Sequence, residues 1–502
     1  MSGQDLRWSA AAEEAARIAE GWRDDEPGGA IALFDATRIR SETCGGLADL
    51  ASGAKFSADT VSRYASITKH VFASMMLRQG DRIGLDDPLG RHLPNLREPL
   101  AGVTAGRALD MTGGLPDVRE CLSLLGVGLA TVSEKAAILD FVGDLDALNF
   151  PAGSEISYSN TGYRLLDAAM EAKGARFQTW LDETLNRPIG LHFVAPETWA
   201  EPVKGLAPGY WKSPEGWRLT TSGLHLSASG CLIGSVRDLG AWLQALMADR
   251  DPARGLLPQL SATRFLGDGR PTAYGLGLAR TVIGGRELFG HGGSHAGYKA
   301  YFLIDSAAQA GVALVSNRED TLPFGMALRV MAALHGEKPP APGCDLAEGL
   351  YAAETGPSWL EVKDGVASFL GSGETLYPAG DGSFVSLSAH FPVRLRQEGE
   401  AISGEISHVA RQFIPVRSDE RPPNQTDWSN KSFRASFAIE DDRFVMGIGP
   451  TRQSAPLTPL GKGRFIAETS DGPWPKRFCL AFEGDKVRLV TNRSRGLTFN
   501  RV

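Results

Sequence analysis

Residues 63–70 read RYASITKH, and the fold and chemistry turn on this stretch. It follows a turn-like SADT (57–60) and precedes the apolar run VFASMMLRQG (71–80). On a helix, positions three apart share a face, so Ser66 and Lys69 are neighbours. Ile67, Val71 and Met75, with the adjoining Phe72 and Met76, make an apolar stripe that seats the helix in a core. Gly80 reads as its C-cap. Ser66 then lies in the first turn, where unpaired backbone N–H groups favour a developing negative charge. A serine hydroxyl is a poor nucleophile until a base takes its proton. A lysine buried beside it can be that base, because desolvation favours the neutral amine. By itself S-x-x-K also recurs by chance on solvated helix faces, so the reading needs partners elsewhere in the chain.

Two further stretches supply them. PAGSEISYSNTGYRLLDAAME (151–171) opens with a turn and runs into a helix. Tyr158 and Asn160 flank Ser159 in the extended bend before that helix. A tyrosine hydroxyl can relay a proton to a leaving group, and an asparagine amide can hold both Lys69 and a substrate carbonyl. The plainer reading is a core tyrosine and an N-cap asparagine. LFGHGGSHAGYKAYFLID (288–305) opens toward a strand at His291, Gly292 and Gly293. Glycines there permit close backbone approach to a ligand. The N–H of Ser294 is expected to form an oxyanion hole with that of Ser66, and His291 is expected to line the opposite wall. His295 reads as a turn histidine, and His225 stays unassigned.

Around these motifs the 502-residue chain has three textures. Residues 1–338 mix helical and strand patterns. Residues 9–23 read as an amphipathic helix, 29–35 (GAIALFD) as a strand, 297–320 (GYKAYFLIDSAAQAGVALVSNRED) as two strands joined by a turn, and 322–336 as a helix. A sheet built from both ends of this region and flanked by helices fits them. The proline-rich EKPPAPGCD (337–345) is a linker. Beyond it, 346–418 and 426–502 consist of short strands broken by Gly, Asp and Ser turns, which indicates antiparallel barrels or sandwiches. SDERPPNQT (418–426) separates the two, and their similar size and style suggest related barrels. The expected fold is therefore α+β and multidomain: an antiparallel sheet flanked by helices, followed by two antiparallel β-barrel domains.

A net charge of −7 and a charged fraction of 22% point to neither nucleic acid nor an anionic membrane surface as partner. No apolar run reaches the ~18 residues that suggest a membrane span. The N-terminal stretch lacks a basic n-region and is interrupted by Glu13 and Glu14, so it does not read as an export signal. Five scattered cysteines suit free thiols in a reducing compartment. A cytoplasmic location is expected. The histidines and cysteines show no ligand spacing, so neither a metal nor an organic cofactor is expected.

The order Ser-x-x-Lys, Tyr-x-Asn, His-x-Gly resembles the penicillin-recognising serine hydrolases, which include serine β-lactamases, DD-peptidases and related esterases. DRIGLDDPLGRHLPNL (81–96), ALDMTGGLPD (108–117) and LSASGCLIGSVRDLGAWLQAL (226–246) look like segments of the same family. Most of residues 25–335 takes part in the likeness, which implies a serine β-lactamase-like catalytic domain. In β-lactamases and DD-peptidases the third motif usually opens with a lysine that binds a substrate carboxylate. Here it opens with His291, largely neutral near its usual pKa of ~6.5, which weakens the case for such a substrate. A histidine there, ahead of two barrels, looks like the bacterial D-aminopeptidase branch.

That branch implies a small peptide, amide or ester substrate with an N-terminal D-residue (D-alanine preferred), two eight-stranded barrels and a homodimer. Lys69, helped by Tyr158, would deprotonate Ser66, and Ser66 would attack the carbonyl. Tyr158 would protonate the leaving amine, and water would release the acyl group. A free α-ammonium group needs a carboxylate, and the three motifs supply none. Asp471, in AETSDGPWPKRF (467–478), is the candidate, carried by a barrel loop reaching the cleft. The competing expectations are an esterase or DD-peptidase of the same superfamily, or a penicillin-binding sensor with little turnover.

Overall fold

The computed structural model describes residues 6–502. The chain divides into two compact units. The first comprises the chain up to Asp87, Tyr163–Arg264 and Thr272–Pro340, and the second comprises Pro88–Gly162, Phe265–Pro271 and Ala341–Val502.

The first unit is organised by a six-stranded antiparallel sheet. Its order is Ala279–Ile283, Arg286–His295, Tyr298–Asp305, Ala310–Ser316, Gly29–Asp35, Ile39–Gly45. The N- and C-terminal parts of the region meet where Gly29–Asp35 pairs with Ala310–Ser316, with Ile31 opposite Leu314. GAIALFD is buried up to Phe34, as a continuous apolar run requires of a strand covered on both faces. Successive strand residues point to opposite faces. Tyr301 packs on Phe324 of helix Pro323–His335 with ring centroids 5.0 Å apart, while Phe302 packs on His70 of helix Thr68–Arg78 at 4.9 Å. Helices therefore cover both sides of the sheet.

The helix after Ser66 departs from its sequence reading in two ways. Ser66 sits in a 3₁₀ turn, Ala65–Ile67, and the α-helix begins at Thr68. The helix ends at Arg78 with Gln79 as its cap, so Gly80 does not cap it. Thr68 through Met76 are all buried, so this is a core helix rather than one with an apolar stripe.

The second unit holds both barrels. In the first, residues 372–378 form one strand that bends at Leu376. Ser372–Thr375 pairs with Val366–Phe369, and Tyr377–Pro378 pairs with Phe384–Val385. The second barrel repeats the device at residues 453–459, pairing with Arg443–Met446 on one side and Arg464–Asp471 on the other. Each bent strand, whose two segments are the first and last of the nine strands in its sheet, joins the two edges of that sheet, so each barrel nearly closes on itself and protects its edges. Trp359, Phe369, Leu395 and Phe413 fill the first barrel. Ile466, Cys479, Ala481 and Val490 of the second barrel join that same core. Residues 88–162 belong to this unit and carry the helices Ala105–Leu109, Val118–Leu124 and Lys135–Gly143.

Candidate active site

In the first unit the turn that carries Ser66 is built from backbone strain and burial. Ala65 is left-handed, at φ 49°, a conformation that costs a residue with a side chain ~1–2 kcal/mol and recurs at functional sites. From Ser62 to Met76, Ser66 alone keeps solvent exposure. Lys69 is fully buried, and its Nζ lies 3.1 Å from Ser66 Oγ and 2.6 Å from the Ser229 carbonyl. The Tyr163 ring also faces it, 5.3 Å from Nζ to centroid. The expected side-by-side placement of Ser66 and Lys69 is observed. The Ser229 carbonyl was not singled out from sequence, since a backbone acceptor leaves no mark in residue type. An amine that donates to this carbonyl can present its lone pair to the Ser66 hydroxyl.

The stretch around Ser229 clamps the turn at several points. Thr68 Oγ1 accepts from Leu232 N–H, Tyr64 N–H donates to the Leu232 carbonyl, and Ser62–Arg63 pairs with Ile233–Gly234. His70, next to Lys69, is buried and neutral. Its Nδ1 donates to the Ile67 carbonyl at 2.6 Å, and its Nε2 accepts from Trp242 Nε1 at 2.8 Å. Burial pushes it down to about 3.

Strand Arg286–His295 runs along the other side of the turn. A Cβ on Gly293 would lie 1.8 Å from the Tyr64 carbonyl oxygen, so only glycine lets the strand approach this closely. His291 is buried, with Nδ1 2.6 Å from the Gly292 carbonyl and Nε2 2.8 Å from the Tyr274 hydroxyl. A carbonyl only accepts, so Nδ1 carries a proton, and Nε2 and the Tyr274 hydroxyl share the second hydrogen bond. Tyr274 belonged to no motif and went unnoticed. Ser294 is exposed, and its Oγ accepts from Lys299 Nζ at 2.7 Å, which is itself paired with Glu319. His225 packs against Arg164, with 3.3 Å between Arg164 Nη1 and His225 Nδ1.

The second unit carries Tyr158, Asn160 and Asp471. The bend before helix Thr161–Ala172 is held by a left-handed Met111, whose carbonyl accepts from Ser157 N–H and whose sulfur accepts from Ser159 N–H. Asp117 Oδ2 accepts from both the backbone N–H and Nδ2 of Asn160, each at 2.7 Å. Its Oδ1 caps helix Val118–Leu124 through the N–H groups of Arg119 and Glu120. Asp117 is a positioning residue that sequence reasoning missed, although an Asp directly before a helical run is a capping signal.

AETSDGPWPKRF proves to be regular hairpin rather than loop. Strands Arg464–Asp471 and Trp474–Glu483 stay paired up to Asp471 opposite Trp474. Asp471 Oδ2 accepts from the Leu129 N–H at 2.7 Å. The Arg119 guanidinium, over the Trp474 ring at 4.7 Å, feels the charge of Asp471. Among the described residues no group of three or more His, Cys, Asp or Glu side chains could hold a metal ion.

Residues 15–336 match the family described as Beta-lactamase. The chain is similar to a D-aminopeptidase of Gluconobacter oxydans, 28% identical over 356 residues that make up 68% of this chain and 64% of that protein. The matched stretch thus spans less than two thirds of that relative. Among solved structures, an octameric penicillin-binding protein homologue from Pyrococcus abyssi aligns over 98% of both chains, with TM-score 0.56 and 18% identity. A D-amino acid amidase from Ochrobactrum anthropi, complexed with L-phenylalanine amide, aligns over 65% of this chain and 98% of its own, with TM-score 0.54 and 22% identity. These two likenesses concern the fold.

Proposed function

The chain belongs to the Beta-lactamase family, and on that premise we propose that it is a D-stereospecific serine aminopeptidase. It releases an N-terminal D-residue, D-alanine foremost, from peptides, amides and esters through an acyl-enzyme on Ser66. The observation that carries the chemistry is the buried Lys69 Nζ, 3.1 Å from the exposed-side hydroxyl of Ser66 and anchored on the Ser229 carbonyl. The similarity to a D-aminopeptidase supports the choice of substrate.

Lys69 takes the Ser66 proton as Oγ attacks the carbonyl that follows the N-terminal residue. The negative charge of the tetrahedral intermediate falls to the N–H groups of Ser66 and Ser294, with Gly293 keeping the second strand close. Tyr158 assists the proton transfer and protonates the leaving amine, and Asn160 holds the substrate carbonyl. Water then hydrolyses the D-aminoacyl ester. A histidine at 291, where the related β-lactamases and DD-peptidases usually carry a lysine, suits a substrate without a carboxylate near the scissile bond. Asp471 receives the substrate ammonium group. Asp471→Asn then weakens turnover of D-alanine amide while sparing an ester without an amine, and equal losses on both would remove Asp471 from the site. The protein works as a cytoplasmic homodimer, a location in keeping with its five free cysteines.

The test is hydrolysis of D-alanine p-nitroanilide beside its L-isomer, by wild type and Ser66→Ala. Release from the D-isomer alone, abolished in the variant, is expected. Release from neither isomer would overturn the aminopeptidase reading in favour of an esterase or a penicillin-binding sensor, and equal release from both would remove the D-stereospecificity.

A further inference from the structure

Within the second unit, the bend that carries Tyr158 is held by a loop of the second barrel, residues 491–496. The Arg493 carbonyl accepts from Asp117 N–H at 2.8 Å and from Asn149 Nδ2 at 2.9 Å. The Asn492 carbonyl accepts from Ser157 Oγ at 3.4 Å. Arg495 pairs with the buried Glu155, at 2.7 Å, and Arg411 of the first barrel pairs with the same carboxylate at 3.2 Å. Glu155 is three residues from Tyr158. This backbone-anchored loop places the Arg493 guanidinium over the Tyr158 ring, 4.9 Å from its centroid. The first barrel contributes His390, whose ring lies 4.9 Å from that of Tyr158 at an angle of 57°. Each barrel thus sets one side chain against the same phenol.

We infer that Arg493 and His390 are positioning residues for Tyr158, Arg493 favouring its ionised form and His390 fixing the tilt of its ring. The inference rests on the proposed role of Tyr158 as proton carrier. A guanidinium over an aromatic face is attracted by the ring, and a fixed cation close to a phenol favours the phenolate. Glu374 lies within the field of Arg493, and burial raises this carboxyl to about 7 despite that cation. In the alkaline range where a phenol titrates, Glu374 is ionised and offsets part of the pull of the guanidinium. Arg119 lies within reach of Arg493 as a second cation. His390 itself, Asp117, which holds Asn160, and Glu155 with its partners Arg495 and Arg411 are further titratable groups around the bend. The barrels, on this account, complete the ionisation state of a catalytic group and are more than packing.

The phenolate transition of Tyr158 is read as the near-ultraviolet difference between each protein and its Tyr158→Phe counterpart, followed against pH. Arg493→Met should raise its midpoint by about one pH unit, and Arg493→Lys should recover at least half of that shift. The loss of kcat/KM in Arg493→Met should be about tenfold greater on the acid side of the pH profile than on the alkaline side. His390→Ala should lower kcat with little change in KM, and His390→Phe, which keeps a ring there, should restore most of it. An unmoved midpoint in Arg493→Met, or a Lys variant as affected as the Met variant, would overturn the inference while leaving the role of Tyr158 intact. A Tyr158→Phe enzyme with full activity would instead overturn the role on which the inference rests.

Discussion

Gly293→Ala separates catalysis from folding. The added Cβ would lie 1.8 Å from the Tyr64 carbonyl oxygen, 2.9 Å from its carbon and 3.3 Å from Ala65 Cβ. Real Cβ atoms essentially never approach within 3.0 Å, so the strand and the nucleophile turn must part by about 1.2 Å. Two of those three neighbours are backbone atoms, and none can swing aside as a long side chain could. Overpacking of this kind costs ~1–3 kcal/mol. The same displacement draws the donors after His291 away from Ser66, and a misplacement of ~1 Å costs on the order of a hundredfold in rate. The expected outcome is a kcat/KM on D-alanine p-nitroanilide reduced by about a hundredfold in a protein that still unfolds cooperatively in urea. Gly292→Ala is the control, because its Cβ would press on the Tyr301 ring at 2.8 Å, a side chain able to move. If Gly293→Ala keeps activity within threefold of wild type, or if Gly292→Ala is equally impaired, the argument from close strand approach is wrong.

Three other outcomes follow from the same geometry. Asp117→Asn turns an N–H₂ group or a weakened acceptor toward the two Asn160 donors; unfolding free energy should fall by ~2 kcal/mol, with kcat reduced at least tenfold in steady-state assays. Lys69→Met removes the base and a buried amine together, so kcat should drop by roughly 10²–10⁴ while urea unfolding shows little or no loss of stability. His70 is held down to about 3 from 6.5, so the unfolded chain binds its proton first as pH falls. The stability it contributes is complete above pH 6.5 and is lost progressively toward pH 3, by ~5 kcal/mol at most. His70→Gln should flatten that part of the pH–stability curve.

The sequence announced what side-chain type and spacing encode. GAIALFD reads as a doubly covered strand because it is apolar throughout, and S-x-x-K places its lysine beside the serine because i and i+3 share a face. The two barrels showed in their short strands and turn residues, and their closure by one bent strand each did not, since residues 372–378 and 453–459 carry no signal beyond a brief break in pairing. Backbone partners stayed hidden for a similar reason. The Ser229 carbonyl that anchors Lys69 could have belonged to any residue. Tyr274, on His291, lies seventeen positions from its partner in an unremarkable stretch. Gly80 looked like a cap, but the helix is buried all round and frays at Gln79 before reaching it. The hairpin at Asp471 looked like loop because of Pro473 and Pro475, yet the ladder continues to Asp471 opposite Trp474. Asp117 was legible as a cap and overlooked as the clamp on Asn160, because a cap signal says nothing of the second oxygen.

The central claim is that Ser66 carries the acyl group, and trapping that group tests it most directly. Enzyme mixed with a D-alanine ester, quenched in acid within a turnover and digested, should yield a peptide containing Ser66 heavier by one alanyl residue. The L-ester should leave far less of it, and Ser66→Ala none. An adduct on any other residue, or undiminished turnover by Ser66→Ala, would contradict the account.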